Sequence, residues 1–168
     1  MLMGNHILTG KALEGTYMQY MKFGEITLFG GHGLQVIDFK RDQWPGIIDK
    51  HSGLFNPPEP WGAWSISCDI KLKFVNPLPA KFDLEIVARA FGPNANRDIN
   101  VHIGEFKTRF QLPKTFPEFE RVILRIDNPN KLNELVIEIP EPVMPKTLGI
   151  GDDDRMIGLG LSSLSIRW

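Results

Sequence analysis

Lys81-Phe82-Asp83-Leu84-Glu85-Ile86-Val87-Ala88-Arg89-Ala90 is the stretch whose reading decides the fold. Phe82, Leu84, Ile86, Ala88 and Ala90 fall on every second position, and Asp83, Glu85, Val87 and Arg89 fill the positions between. An extended chain sends successive side chains to opposite faces. The segment therefore buries one face and shows a mainly polar one, as a strand of an antiparallel sheet does. The same period recurs at Cys68, Ile70, Leu72 and Phe74, at Val101 and Ile103, and at Phe106, Thr108, Phe110 and Leu112. It returns at Val122, Leu124 and Ile126 and at Leu135, Ile137 and Ile139. The last segment runs Ile157, Leu159, Leu161 and then Leu164, Ile166, Trp168, a change of phase that predicts a bulge near Ser162-Ser163.

Between these runs lie Asn76-Pro77-Leu78-Pro79, Phe91 to Arg97, Gly104-Glu105, Pro113 to Pro117, Asp127-Asn128-Pro129-Asn130 and Pro140-Glu141-Pro142. That makes roughly eight or nine strands with turn chemistry every 8–12 residues or so, and helical spacing is almost absent. The expected fold is all-β: an antiparallel, jelly-roll-like β-sandwich with a loop-rich N-terminal segment.

Upstream the signals thin out. Residues 1–20 are expected to be a poorly ordered lead-in, and 21–168 a single domain. Phe23 to Phe29 reads as a first strand, Gly30-Gly31-His32-Gly33 as a turn, and Leu34 to Phe39 as a second strand. No Lys and Ser or Thr follow those glycines as a phosphate loop requires. Asp42 to Asn56 reads as a long connection with room for one helical turn. Pro57-Pro58-Glu59-Pro60 then leads, stiff and extended, into Trp61-Gly62-Ala63-Trp64-Ser65.

The chain has 168 residues, 42% hydrophobic and 23% charged, with a net charge of −1. This suits a globular domain with a real core and gives no basic field for nucleic acid. No apolar run is long enough to span a bilayer, and Met1 to Gly10 has no signal-peptide pattern. The single cysteine, Cys68, excludes an intrachain disulfide and is expected to be a small buried side chain.

Catalytic signatures are weak. Histidines 6, 32, 51 and 102 are dispersed, and no serine stands in a Gly-x-Ser-x-Gly setting. Asp152-Asp153-Asp154 lacks the spacing of a calcium loop and reads as a solvated turn balanced by Arg155. No cofactor is expected. A glycosidase would need a second carboxylate set against Glu59. Trp61 and Trp64, three apart, should point to opposite faces of an extended chain and do different jobs. At least one is expected in the core or sealing one end of the sandwich, and one ring can serve instead as a platform for a pyranose. Gly62 between them suggests backbone packed close to a ring. Asn94, Asn96 and Arg97 lie on a loop, where they serve turn formation or offer partners to hydroxyls and phosphates.

Glu59-Pro60-Trp61-Gly62-Ala63-Trp64-Ser65, Pro77 to Leu84, Ala88 to Asn94, Val101-His102-Ile103-Gly104, Asp127-Asn128-Pro129, Ile139 to Pro142 and Ile157 to Leu161 together resemble the C-terminal domain of the phosphoglycerol transferase I family. The resemblance spans positions 34 to 168 in order. It departs at Ala63, where the family pattern carries Arg or Thr. It implies an accessory β-sandwich of a periplasmic, glycan-modifying envelope enzyme, whose metal-dependent catalytic domain has no counterpart in this sequence. The implied partners are a glycan (a periplasmic glucan above all) and a catalytic transferase domain. The expected binding set is Glu59, Trp61, Arg89, Asn94, Asn96 and Arg97, with no catalytic residue. A docking domain that binds no ligand is the alternative.

Overall fold

The computed structural model describes residues 19–22, 25–28, 32–40, 46–55, 57–114 and 116–168. Twelve strands are present among them: β1 Gln19–Lys22, β2 Glu25–Leu28, β3 His32–Asp38, β4 Ile48–Ser52, β5 Ala63–Trp64, β6 Asp69–Phe74, β7 Lys81–Ala90, β8 Ile99–Ile103, β9 Phe106–Phe110, β10 Glu120–Asp127, β11 Glu134–Glu138 and β12 Leu159–Arg167. They form two antiparallel sheets. One runs β1-β2-β3-β12-β7-β10, with β5 added alongside β12, and the other runs β4-β6-β11-β8-β9. The rows β3-β12-β7-β10 and β6-β11-β8-β9 interleave eight strands, β3 and β6 to β12, between the two sheets, the connectivity of a jelly roll.

Alternation places the core between the sheets. Leu84 and Ile86 of β7, Ile70 and Leu72 of β6, Val101 of β8, Ile126 of β10 and Ile137 of β11 are completely buried. On the outward face of β7, Asp83 and Glu85 pair across to β10, Asp83 to Arg125 at 2.7 Å and Glu85 to Arg121 at 3.6 Å. The bulge expected in the last strand is real. Leu161 pairs with Ala88 and Ser163 with Val87, so Ser162 is the extra residue that lets Leu164 and Ile166 point inward again.

Several expectations need correction. The expected lead-in lies outside the described residues as far as position 18, but β1 opens at Gln19 within it. His32 and Gly33 belong to β3 rather than to a turn, because Gly33 exchanges backbone hydrogen bonds with Trp168. The long connection after Asp42 contains a strand, β4, that pairs with β6 at the edge of the smaller sheet. Four of its five residues are exposed, so it carries no alternation for a sequence reading to find. Cys68 is exposed rather than buried: β6 begins one residue after it, so the parity that buries Ile70 does not reach it.

Candidate functional site

The site is built where β7 outruns its neighbour. The β10 pairing ends at Glu120 opposite Ala88, so Arg89 has no strand on that side. On the other side Arg89 pairs with Gly160 of β12, and Gly160 pairs in turn with Trp64 of β5. Residues directly opposite one another share a face. Trp64, Gly160 and Arg89 therefore form one row on the outer face of the larger sheet, with a gap where Gly160 has no side chain. The indole rings fill that gap. A Cβ at position 160 would stand 2.9 Å from both Trp61 and Trp64 ring carbons. The glycine packed against a ring is thus Gly160, not Gly62. Gly62 instead has φ 149° and lies so close to the Leu161 carbonyl that a Cβ would stand 2.1 Å from its oxygen.

The two tryptophans do not diverge. Glu59 and Gly62 exchange backbone hydrogen bonds of 2.8 and 3.1 Å, so Pro60 and Trp61 form a tight reversal rather than an extended run. The reversal brings Trp61 edge-on to Trp64, with ring centroids 4.9 Å apart. Trp64 is buried against Phe91 and Ile157. Trp61 is half-buried and touches Phe119 at 5.7 Å.

Arg89 lies at the centre of this cluster and is only 4% exposed. Its guanidinium carbon is 3.5 Å from the Trp61 ring centroid, 4.4 Å from Phe119, 4.6 Å from Phe116 and 5.2 Å from Trp64. The segment between β9 and β10 roofs it, held by the Phe116 N–H donating to the Ala90 carbonyl and by Arg89 Nη1 donating to the Pro117 carbonyl at 3.2 Å. Nε and Nη2 have no partner. Burial lowers the Arg89 pKa to about 10, and the charge of Glu59 opposes that shift. Contacts of a cation with ring faces contribute about 0.5–2 kcal/mol each. Unpartnered buried donors cost about 1–3 kcal/mol. The two effects oppose one another at Arg89.

Glu59 is held at the rim. It lies 3.5 Å from Arg155, which grips Asp153 at 2.6 Å and stacks over Phe55 at 4.4 Å. The hydrogen bond from Arg155 keeps Asp153 below the usual carboxylate range, and the same bond raises Arg155. Of the three acids in the Asp152 to Asp154 turn, Asp153 is the one that Arg155 pairs with.

The structure therefore brings Glu59, Trp61 and Arg89 into one neighbourhood. Asn94, Asn96 and Arg97 have other attachments. Asn94 is completely buried. Its amide donates to the Phe91 carbonyl at 2.9 Å and the Glu141 carbonyl at 2.8 Å, and accepts from the Glu141 N–H at 3.0 Å. Asn96 is exposed with φ 59°, a turn conformation that asparagine tolerates. Arg97 is exposed and pairs with Glu141 at 3.2 Å. Ser65 is buried and accepts from the Gly158 and Leu159 N–H groups, which ties β5 to the start of β12.

Phe116 and Phe119 were not singled out from the sequence. Phe116 falls in a proline-bounded turn, and Phe119 precedes the alternation of β10, so neither belongs to a pattern. No group of three or more His, Cys, Asp or Glu able to hold a metal occurs among the described residues. No helix among them is long and apolar enough to cross a membrane.

Phosphoglycerol transferase I of Citrobacter koseri is 36% identical over 126 residues, and that of Salmonella typhi shows the same identity over the same length. The match covers 73% of this chain but only 16% of either relative, so the chain spans a small fraction of the curated proteins it resembles. Among solved structures, a mutant family 29 carbohydrate-binding module complexed with mannohexaose aligns with TM-score 0.48 and 14% identity, over 81% of this chain and 92% of that one. A second structure of a family 29 module gives TM-score 0.47 and 12% identity, over 81% and 88%. Residues 32–168 match the family described as a domain of unknown function, DUF7024, and the chain belongs to that family.

Proposed function

We propose that this domain is a non-catalytic accessory module of a phosphoglycerol transferase-like envelope protein, and that it binds glycan at the Trp61 cluster. The supporting observation is the half-buried Trp61, beside the exposed rings of Phe116 and Phe119 and around a buried guanidinium. Flat apolar faces suit the C–H face of a pyranose, and fixed polar groups at the rim orient its hydroxyls. Glu59 and Arg155 supply that rim. Asn96 and Arg97 are attached elsewhere, to Pro113 and Glu141, and take no part in this reading. Asn94 holds its loop and takes no part, since its amide is spent inside the protein. The periplasmic face of the envelope is the proposed location, with the transfer chemistry supplied by a separate catalytic domain.

Titration of the chain with neutral β-glucan oligosaccharides, followed by tryptophan fluorescence, tests the reading. A saturable change in emission that Trp61→Ala removes is the expected result. Unchanged emission at millimolar sugar overturns it in favour of a docking domain. That second reading draws on the solvent exposure of Phe116 (49%) and Phe119 (37%), two apolar rings placed to meet another protein surface.

A further inference from the structure

Arg89 presents a donor edge that nothing in the protein uses. A guanidinium carries five N–H bonds, and those of Nε and one of Nη2 point in parallel along one side of the plane. At Arg89 that side is the one without partners, while Nη1 on the other side is engaged by Pro117. Trp61, Phe119 and Phe116 lie against the guanidinium and remove water from it. The hydrogen bonds still open to a ligand therefore lie in the guanidinium plane, along the unpartnered edge. The edge is buried with two charged donors that no hydrogen bond meets, so an oxygen pair bearing negative charge fits it better than neutral hydroxyls do. Glu59, the carboxylate whose charge acts on Arg89, is engaged by Arg155 at the rim.

We infer that the Nε–Nη2 edge of Arg89 is an anion-recognition site, which takes a phosphate or carboxylate substituent carried on the glycan, with two of its oxygens on the two nitrogens. The inference rests on the glycan-binding reading above and names the class of glycan. Both donors of the edge are themselves buried, so the anion reaches them by displacing side chains packed over the cluster. Trp61, in contact with the guanidinium, reports the event.

The test compares four probes by tryptophan fluorescence on the whole chain: a neutral β-glucan oligosaccharide, the same oligosaccharide bearing phosphoglycerol, one bearing glucuronate, and inorganic phosphate. A charge-assisted bidentate pair predicts that at least one charged oligosaccharide binds about tenfold or more tighter than the neutral one. The phosphoglycerol and glucuronate arms then identify the source of the anion. Arg89→Lys retains the charge and loses the fork, and should bring the charged and neutral affinities together. If Arg89→Lys does not fold, the wild-type affinities decide alone. Equal affinities for charged and neutral oligosaccharides overturn the inference and leave the glycan reading standing. Binding of inorganic phosphate with no binding of any oligosaccharide supports the anion edge and overturns the glycan reading. No response to any probe overturns both.

Discussion

The space between the two sheets and the patch outside the larger sheet are built on opposite principles. Between the sheets, aliphatic side chains such as Ile70, Leu72, Leu84 and Ile137 share one apolar cluster with phenylalanines such as Phe74 and Phe82. Every contact there is non-directional, and the interior has nothing left to offer. Outside, Trp61, Trp64, Phe116 and Phe119 surround a charged side chain with two unused donors, and Phe91 backs Trp64. The first region stores stability. The second leaves two charged donors unmet, which is why the proposed function is placed there and not in the larger core.

The largest test of this contrast falls on the interior. Leu72→Ala removes a completely buried side chain from a packed layer and should cost about 2–5 kcal/mol in chemical unfolding. A much smaller loss would mean that the sheets are not tightly joined. Gly160→Ala places a methyl group against both indoles and should cost about 1–3 kcal/mol by forcing the rings apart. It should also raise the exposure of Trp61 to an aqueous quencher; unchanged quenching would show that the row Trp64, Gly160, Arg89 does not shape the patch.

Arg89→Met is the sharper experiment. Methionine fills the same aromatic enclosure without unpaired donors, so stability should change by less than about 1 kcal/mol or rise. A loss of several kcal/mol would make Arg89 a structural residue and erase the contrast. The smallest effect concerns the rim. Asp153 has a depressed folded pKa, so its pairing with Arg155 contributes above the usual carboxylate pKa and is lost as pH falls through the lower folded value. The pair is partly exposed, so the contribution should stay under about 1 kcal/mol, seen as a fall in stability toward pH 3 that Asp153→Asn abolishes. An identical acid profile in the variant would remove the pair from the account.

Much of the fold is visible in the residues because strand parity is a local property. The inward set of β7, the turns at prolines and asparagines, and the bulge at Ser162 all follow from neighbours in the chain. β4 escapes because an edge strand with exposed side chains has no parity to display. The site was legible only in its members, Glu59, Trp61 and Arg89, and not in its arrangement. Parity alone puts Arg89 on the polar face with Asp83 and Glu85, and the two tryptophans on opposite faces.

What the sequence determined by itself is the sandwich: period-two burial, the turn chemistry and the phase change of the last strand. What only the tertiary structure decided is that the polar face of β7 becomes an aromatic enclosure at its last turn outward. That outcome depends on β10 starting two residues short of Ala90, on Gly160 leaving a space between Trp64 and Arg89, and on a reversal at Pro60-Trp61 that folds one indole onto the other. Each of these is a relation between segments distant in the chain, and local pattern carries no information about such relations.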